Sequence, residues 1–228
     1  MVPAAELNFY LADNEFFLVH CIGVAKGIGT DATNALGPVE RLQVAYRRRN
    51  QIEISCSIVL GGDMYNPSVG CMNYYGPIGL VVGPFDDASV GAAFAQGSTQ
   101  QDPDSPDRRM YPEHLRAQSI NCIHNAVTQR GEYDCNEVTL FRYNVYGVFL
   151  QEWMRVVDHR TGQEMDITDE MVHHELPGIP VFRIGYGKLY ECNWDPAAKV
   201  FTNGRRVLAR SLYPLAQSDV ELLGPIPA

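Results

Sequence analysis

Apolar positions come in short runs along this chain. "EFFLVHCIG" (Glu15 to Gly23) is nearly continuous and sits between the turn-like "ADN" and a glycine, which predicts a buried strand. "GTDATNALGPVERLQVAYRRRN" then changes period. Pro38 suits a first turn, and Val39, Leu42, Ala45 and Tyr46 share one helical face. "QIEISCSIVLGG" alternates at Ile52, Ile54, Cys56 and Ile58 and predicts a strand ended by Gly61-Gly62. "MYNPSVGCMNYYGP" is loop, and "IGLVVGPF" is a short apolar strand. In "FDDASVGAAFAQG", Asp86 or Asp87 offers an N-cap for an alanine-rich helix closed by Gly97.

"STQQDPDSPDRRMYP" reads as a surface loop. "EHLRAQSINCIHNAVTQRG" restores a helix, with Leu115, Ile120, Ile123 and Val127 on one side. "YDCNEVTLFRYNVYGVFLQEW" (Tyr133 to Trp153) reads as two buried strands, yet Glu137 stands at the head of the first. After Trp153 the pattern changes. "VVDHRTGQEMDITDEMVHHELPGIP" is polar and turn-rich, with His173-His174 in solvated loop. "VFRIGYGKLYECNWDPAAKVFTNGRRVLARSLYPL" is β-structure, with "WDPAAK" and "TNGR" as turns. The pattern predicts one α+β unit: a core over 1–153 with an inserted segment at about 30–70, and a β-rich C-terminal extension over 154–228 that packs on it.

Composition narrows the function classes. The 228 residues are 46% hydrophobic and 20% charged, enough apolar material for a sizeable core. A formal charge of −9 argues against nucleic acid or an anionic membrane surface as partner, since both require a clustered positive field. The run Arg47-Arg48-Arg49 is too short to reverse that. The six cysteines form no CxxC pattern, so no structural zinc is expected and reduced core thiols are. No run approaches the ~18 apolar residues of a membrane span, and the N-terminal stretch lacks the layout of a signal peptide. A cytoplasmic protein, or one exported as an effector without a cleavable signal, is the expectation.

Glu137 holds the candidate chemistry. Alternation puts Glu137, Thr139 and Phe141 on one face and Val138 and Leu140 on the other. A partly covered carboxylate needs a partner. It reads either as a rim charge or as the working acid of a site. His20 lies where the first strand gives out, and reads either as a hydrogen-bonded core histidine or as a ligand contact.

Taken together, "FLVHCIG", the glycine-bounded strand from Gly76, "SVGAAF" and "NEVTLF" followed by "YNVYGVFLQ" resemble the poly(ADP-ribose) polymerase-like ADP-ribosyltransferases of the H-Y-E branch. The resemblance covers Phe16 to about Leu150 in four short islands. It implies two packed, mostly antiparallel sheets with flanking helices. It implies NAD as substrate, no metal, and transfer of ADP-ribose to a protein with release of nicotinamide. By position it makes Glu137 the catalytic acid. His20 and Cys21 would meet the adenosine ribose; Ser89, Gly91 and Phe94 of the "SVGAAF" helix would meet nicotinamide. The family's stacking tyrosine falls at Leu80 or Val81 here, and Tyr74 or Tyr75 would take its place from the preceding loop. "ISCS" (Ile54 to Ser57) echoes the S-T-S strand of the related R-S-E toxins, although Cys135-x-Glu137 lacks the first acid of their E-x-E loop. Similar bacterial effectors modify ubiquitin and use an added aspartate, for which Asp86 or Asp87 would be the nearest candidates. The alternatives are a NAD glycohydrolase toxin and a catalytically inert interaction module.

Overall fold

The computed structural model describes residues 2–21, 37–51, 53–60, 78–94, 119–128, 136–151, 155–158 and 163–223. In chain order they form α1 (Ala4–Asp13), β1 (Phe16–Cys21), α2 (Pro38–Arg47), β2 (Ile54–Leu60), β3 (Ile78–Pro84), β4 (Val90–Phe94), α3 (Ile120–Thr128), β5 (Glu137–Leu140), β6 (Tyr143–Leu150), β7 (Arg155–Asp158), β8 (Gln163–Asp166), α4 (Asp169–Glu175), β9 (Val181–Gly185), β10 (Lys188–Asp195), β11 (Val200–Arg206), α5 (Ala209–Leu212) and α6 (Gln217–Leu223). The chain is mixed α+β, as the hydrophobic pattern predicts.

Nine strands hydrogen-bond in the order β11-β10-β9-β6-β3-β1-β2-β5-β4, and β7-β8 is a separate hairpin. The resemblance implies two packed, mostly antiparallel sheets; here the strands are linked in one order through β2, which pairs with β1 over one half and with β5 over the other. Every neighbouring pair in it is antiparallel except β6–β9, which is parallel. Through that pair the C-terminal strands continue the sheet built by residues 16–150.

Burial explains the centre. β3 is buried at every position, and Phe17, Leu18 and Val19 of β1 are buried beside it. Gly79 permits this packing: a Cβ there would lie 2.4 Å from the His20 carbonyl oxygen and 2.5 Å from the Phe149 ring. α2 turns Val39, Leu42 and Ala45 into the core, and the Glu40 carboxylate accepts from the Gly37 N–H at 2.7 Å to close its first turn.

Three expectations are corrected. The predicted alanine-rich helix is the strand β4. The Ser89 hydroxyl accepts from the N–H groups of Phe85 and Asp86 at 3.1 and 2.9 Å, closing a turn where a helix cap was expected. The free side of β5 then captures residues 90–94. Alanine's helix preference, worth a few tenths of a kcal/mol per residue, yields to a shared ladder. "TNGR" lies inside β11, not in a turn. Gly204 there faces an irregular register between Tyr190 and Cys192, where a Cβ would sit 3.1 Å from the Glu191 oxygen. Finally, His173 and His174 belong to α4, whose N-cap Thr168 accepts from the Met171 N–H, and the His173 ring stacks on Trp194 at 4.1 Å.

Candidate functional site

The site forms where β2 changes partner. The second half of β2 pairs with β1, ending at Val19↔Ser57. Its first half pairs with β5, from Ile54↔Leu140 to Cys56↔Val138. β1 therefore parts from β2 near His20, and β5 meets β2 only beyond Glu137. A fork of this kind leaves backbone groups without ladder partners, and buried polar groups must be satisfied.

Side chains satisfy them. The His20 ring places Nδ1 2.7 Å from the Ser55 carbonyl oxygen. The Ile58 N–H donates to the Asn136 Oδ1 at 2.7 Å, and the Asn136 Nδ2 donates back to the Ile58 carbonyl at 2.9 Å. The Ser57 hydroxyl donates to the Asn136 carbonyl at 3.1 Å. Asn136 thus stands in for one more peptide of β5.

Glu137 follows, 4% exposed. The Ser55 hydroxyl donates to its Oε1 at 2.5 Å, while Ser55 itself is exposed. The hydroxyl of a residue that reaches solvent is therefore held by a buried carboxylate in a partly buried bond, and His20 grips the backbone of the same serine. A carbonyl only accepts, so the hydrogen on His20 sits on Nδ1, and the neutral ring keeps Nε2 as an acceptor. Burial lowers the His20 pKa from its usual 6.5, the Ser55 carbonyl partly opposes this, and Arg41 lowers it further. His20 is thus neutral near pH 7.

The neighbouring thiols are inert. Burial pushes Cys21 up to about 12. It drives Cys56 well above the ordinary thiol range, and the Glu137 charge adds to the effect. Neither thiol supplies a thiolate nucleophile.

The fork brings together two of the residues picked out by sequence, His20 and Glu137, with Cys21 ending β1 beside them. Phe94 pairs with Glu137 across β4 and β5, and only its backbone is described. Tyr75 lies outside the described residues. Ser89 and Gly91 are placed elsewhere. Val90 pairs with Leu140, three residues beyond Glu137 and about 10 Å along the strand. Ser89 is fully buried, and its hydroxyl is spent within the turn, donating to Asp86 Oδ1 at 3.0 Å. A Cβ on Gly91 would meet Phe141 and Thr139, both at 2.7 Å, so its role is to let those side chains lie over β4. The helix that was to present them does not exist. Asp86 is bound to that turn and to Arg142, and Asp87 accepts from the Ala4 N–H.

Ser55 and Asn136 join the site although neither was expected in it: "ISCS" stood out only as an echo of the S-T-S strand, and Asn136 only as the residue before the acid. The fork that gives them roles is a tertiary feature. Among the described residues no helix is long and apolar enough to cross a membrane, and no group of His, Cys, Asp and Glu could hold a metal. No protein-family model matches this chain, and no match was found to a curated protein or to a solved structure.

Proposed function

We propose that the chain is an NAD-dependent mono-ADP-ribosyltransferase with an ADP-ribosyltransferase fold, and that Glu137 is its catalytic acid. The observation that carries this reading is the hydroxyl of the exposed residue Ser55 held at 2.5 Å by the buried Glu137 carboxylate, on a strand to which His20 is also anchored. Exchange of the serine hydroxyl for the ribose 2′-hydroxyl gives the carboxylate a substrate partner of the same chemistry. As the bond from ribose C1′ to the nicotinamide nitrogen breaks, its electron pair leaves with neutral nicotinamide, and positive charge grows on the ribose. A fixed carboxylate beside that charge is worth several kcal/mol in the transition state. An acceptor nucleophile on a protein then bonds to C1′ and gives its proton to solvent or to Glu137. His20, through its free Nε2, accepts from an adenosine ribose hydroxyl.

A specific observation favours a second reading. With Glu137 only 4% exposed, water reaches it more easily than a protein side chain does, which is the situation of a NAD glycohydrolase. Incubation with labelled NAD, with ubiquitin and a cytosolic extract as acceptors, separates the two. Transfer labels protein; hydrolysis gives free ADP-ribose. In both cases Glu137→Gln is expected to slow nicotinamide release by about a hundredfold or more. Equal rates for the two proteins would reject Glu137 as the acid.

A further inference from the structure

Asn136 is 4% exposed, and three hydrogen bonds join it across the fork to described residues of β2. Two join its carboxamide to the N–H and C=O of a single residue, Ile58, in the manner of a neighbouring peptide. The third ties its carbonyl to Ser57. Ile58 already pairs with Leu18 of β1 on its other side. The carboxamide therefore locks the head of β5 to a buried stretch of β2, where Ile58 and Val59 are fully buried. The next residue is Glu137, whose carboxylate must stay against Ser55.

We infer that Asn136 is a positioning residue: it sets the backbone from which the Glu137 carboxylate is aimed. The inference rests on the reading of Glu137 as the working acid. A carboxylate that stabilises a developing charge must hold its place to within a fraction of an ångström. A strand head that frays does not provide that. The requirement is for one donor and one acceptor on a short, planar group, which asparagine meets. Alanine offers neither. An ionised aspartate offers two acceptors and sets one against the Ile58 carbonyl. A protonated aspartate restores both bonds, its O–H donating to the Ile58 carbonyl and its C=O accepting the Ile58 N–H.

The test is nicotinamide release from NAD by wild type, Asn136→Ala, Asn136→Asp and Glu137→Gln, per folded molecule and well below each Tm, together with amide exchange at Ile58. For Asn136→Ala we expect kcat to fall about tenfold or more, with KM for NAD within about threefold of wild type. The Ile58 amide should exchange about tenfold faster, while amides in the β1–β3 ladder keep their protection. Asn136→Asp should approach wild-type kcat near pH 5.5 and lose about tenfold by pH 8 as the buried acid ionises, a loss that wild type does not share. Restored function at low pH marks the hydrogen-bond pattern itself, which a general packing defect would not reproduce. Wild-type kcat in Asn136→Ala, or a pH-independent deficit in Asn136→Asp, overturns the inference. If wild type and Glu137→Gln release nicotinamide equally, the reading of Glu137 fails instead, and the positioning role falls with it; the Ile58 amide then still reports whether Asn136 pins β5.

Discussion

At the scale of single residues, His20 and Tyr186 each carry a measurable consequence. Burial holds the folded-state pKa of His20 below its unfolded value of about 6.5. Between the two values the unfolded chain binds more protons, so stability rises with pH there. The contribution of His20 is therefore complete above about pH 6.5 and falls as pH drops through the window beneath it. His20→Gln is expected to flatten this part of the pH dependence in denaturant titrations between about pH 5 and 7.5, whatever it costs at neutral pH. Tyr186 sits at the β9–β10 hairpin tip with φ of 50°, 93% exposed, beside Gly187 at φ of 71°. Two residues of positive φ make the tight turn that suits a right-twisted hairpin, where asparagine and glycine are favoured. A tyrosine there is strained and gains no burial in return. Tyr186→Asn should stabilise the protein by about 0.5–1 kcal/mol, seen as a higher Tm; an unchanged or lower Tm would show that the phenol has a partner.

Between elements, close approach and backbone conformation are separable demands on glycine. Gly79 has ordinary φ but no room, since β1 and β6 press on it from both sides. Gly178 has open space and φ of +77°. Gly79→Ala should cost about 2–3 kcal/mol or more, because neither a backbone oxygen nor a packed ring can move away cheaply. Gly178→Ala should cost about 1 kcal/mol, through conformation alone. Chemical denaturation of the two variants checks the order, and a larger loss at Gly178 would contradict it. The same level shows why β4 was read as a helix. Gly91, Ala92 and Ala93 favour neither state through packing of their own, and the deciding factor is the open side of β5, contributed by residues more than forty positions away. The strands β1 and β3 are legible as apolar runs bounded by turn residues, and β2, β5 and β6 through alternation or β-prone residues in the same setting.

In the molecule as a whole, the C-terminal third is bonded into the sheet. β9 runs parallel to β6. Behind it, the Asp169 carboxylate pairs with Arg183 of β9 and also accepts from the Phe201 N–H of β11 at 2.8 Å. The Tyr213 hydroxyl accepts from the Leu18 N–H of β1 at 2.8 Å, in the centre of the sheet. Asp169→Ala takes the counter-ion from the partly buried Arg183 and frees the Phe201 N–H, and should cost about 2–3 kcal/mol. Because β9 pairs with β6 and Tyr213 bonds to β1, disorder in the extension should reach the core, and tryptophan fluorescence and far-UV dichroism should shift together in that variant. Separate transitions would show two independently folding parts.

The sequence by itself determined the α+β class, most strand positions and the presence of an awkward acid at a strand head, because these follow from local apolar periodicity and turn chemistry. It could not determine which residues satisfy the fork in β2. Only the tertiary structure decided that His20, Ser55, Asn136 and Glu137 converge there and that Ser89 and Gly91 stand apart. The physical reason is that a backbone group left unpaired by diverging strands takes whichever side chain the fold brings to it. That proximity is set by pairing between residues some eighty positions apart, which no local pattern records.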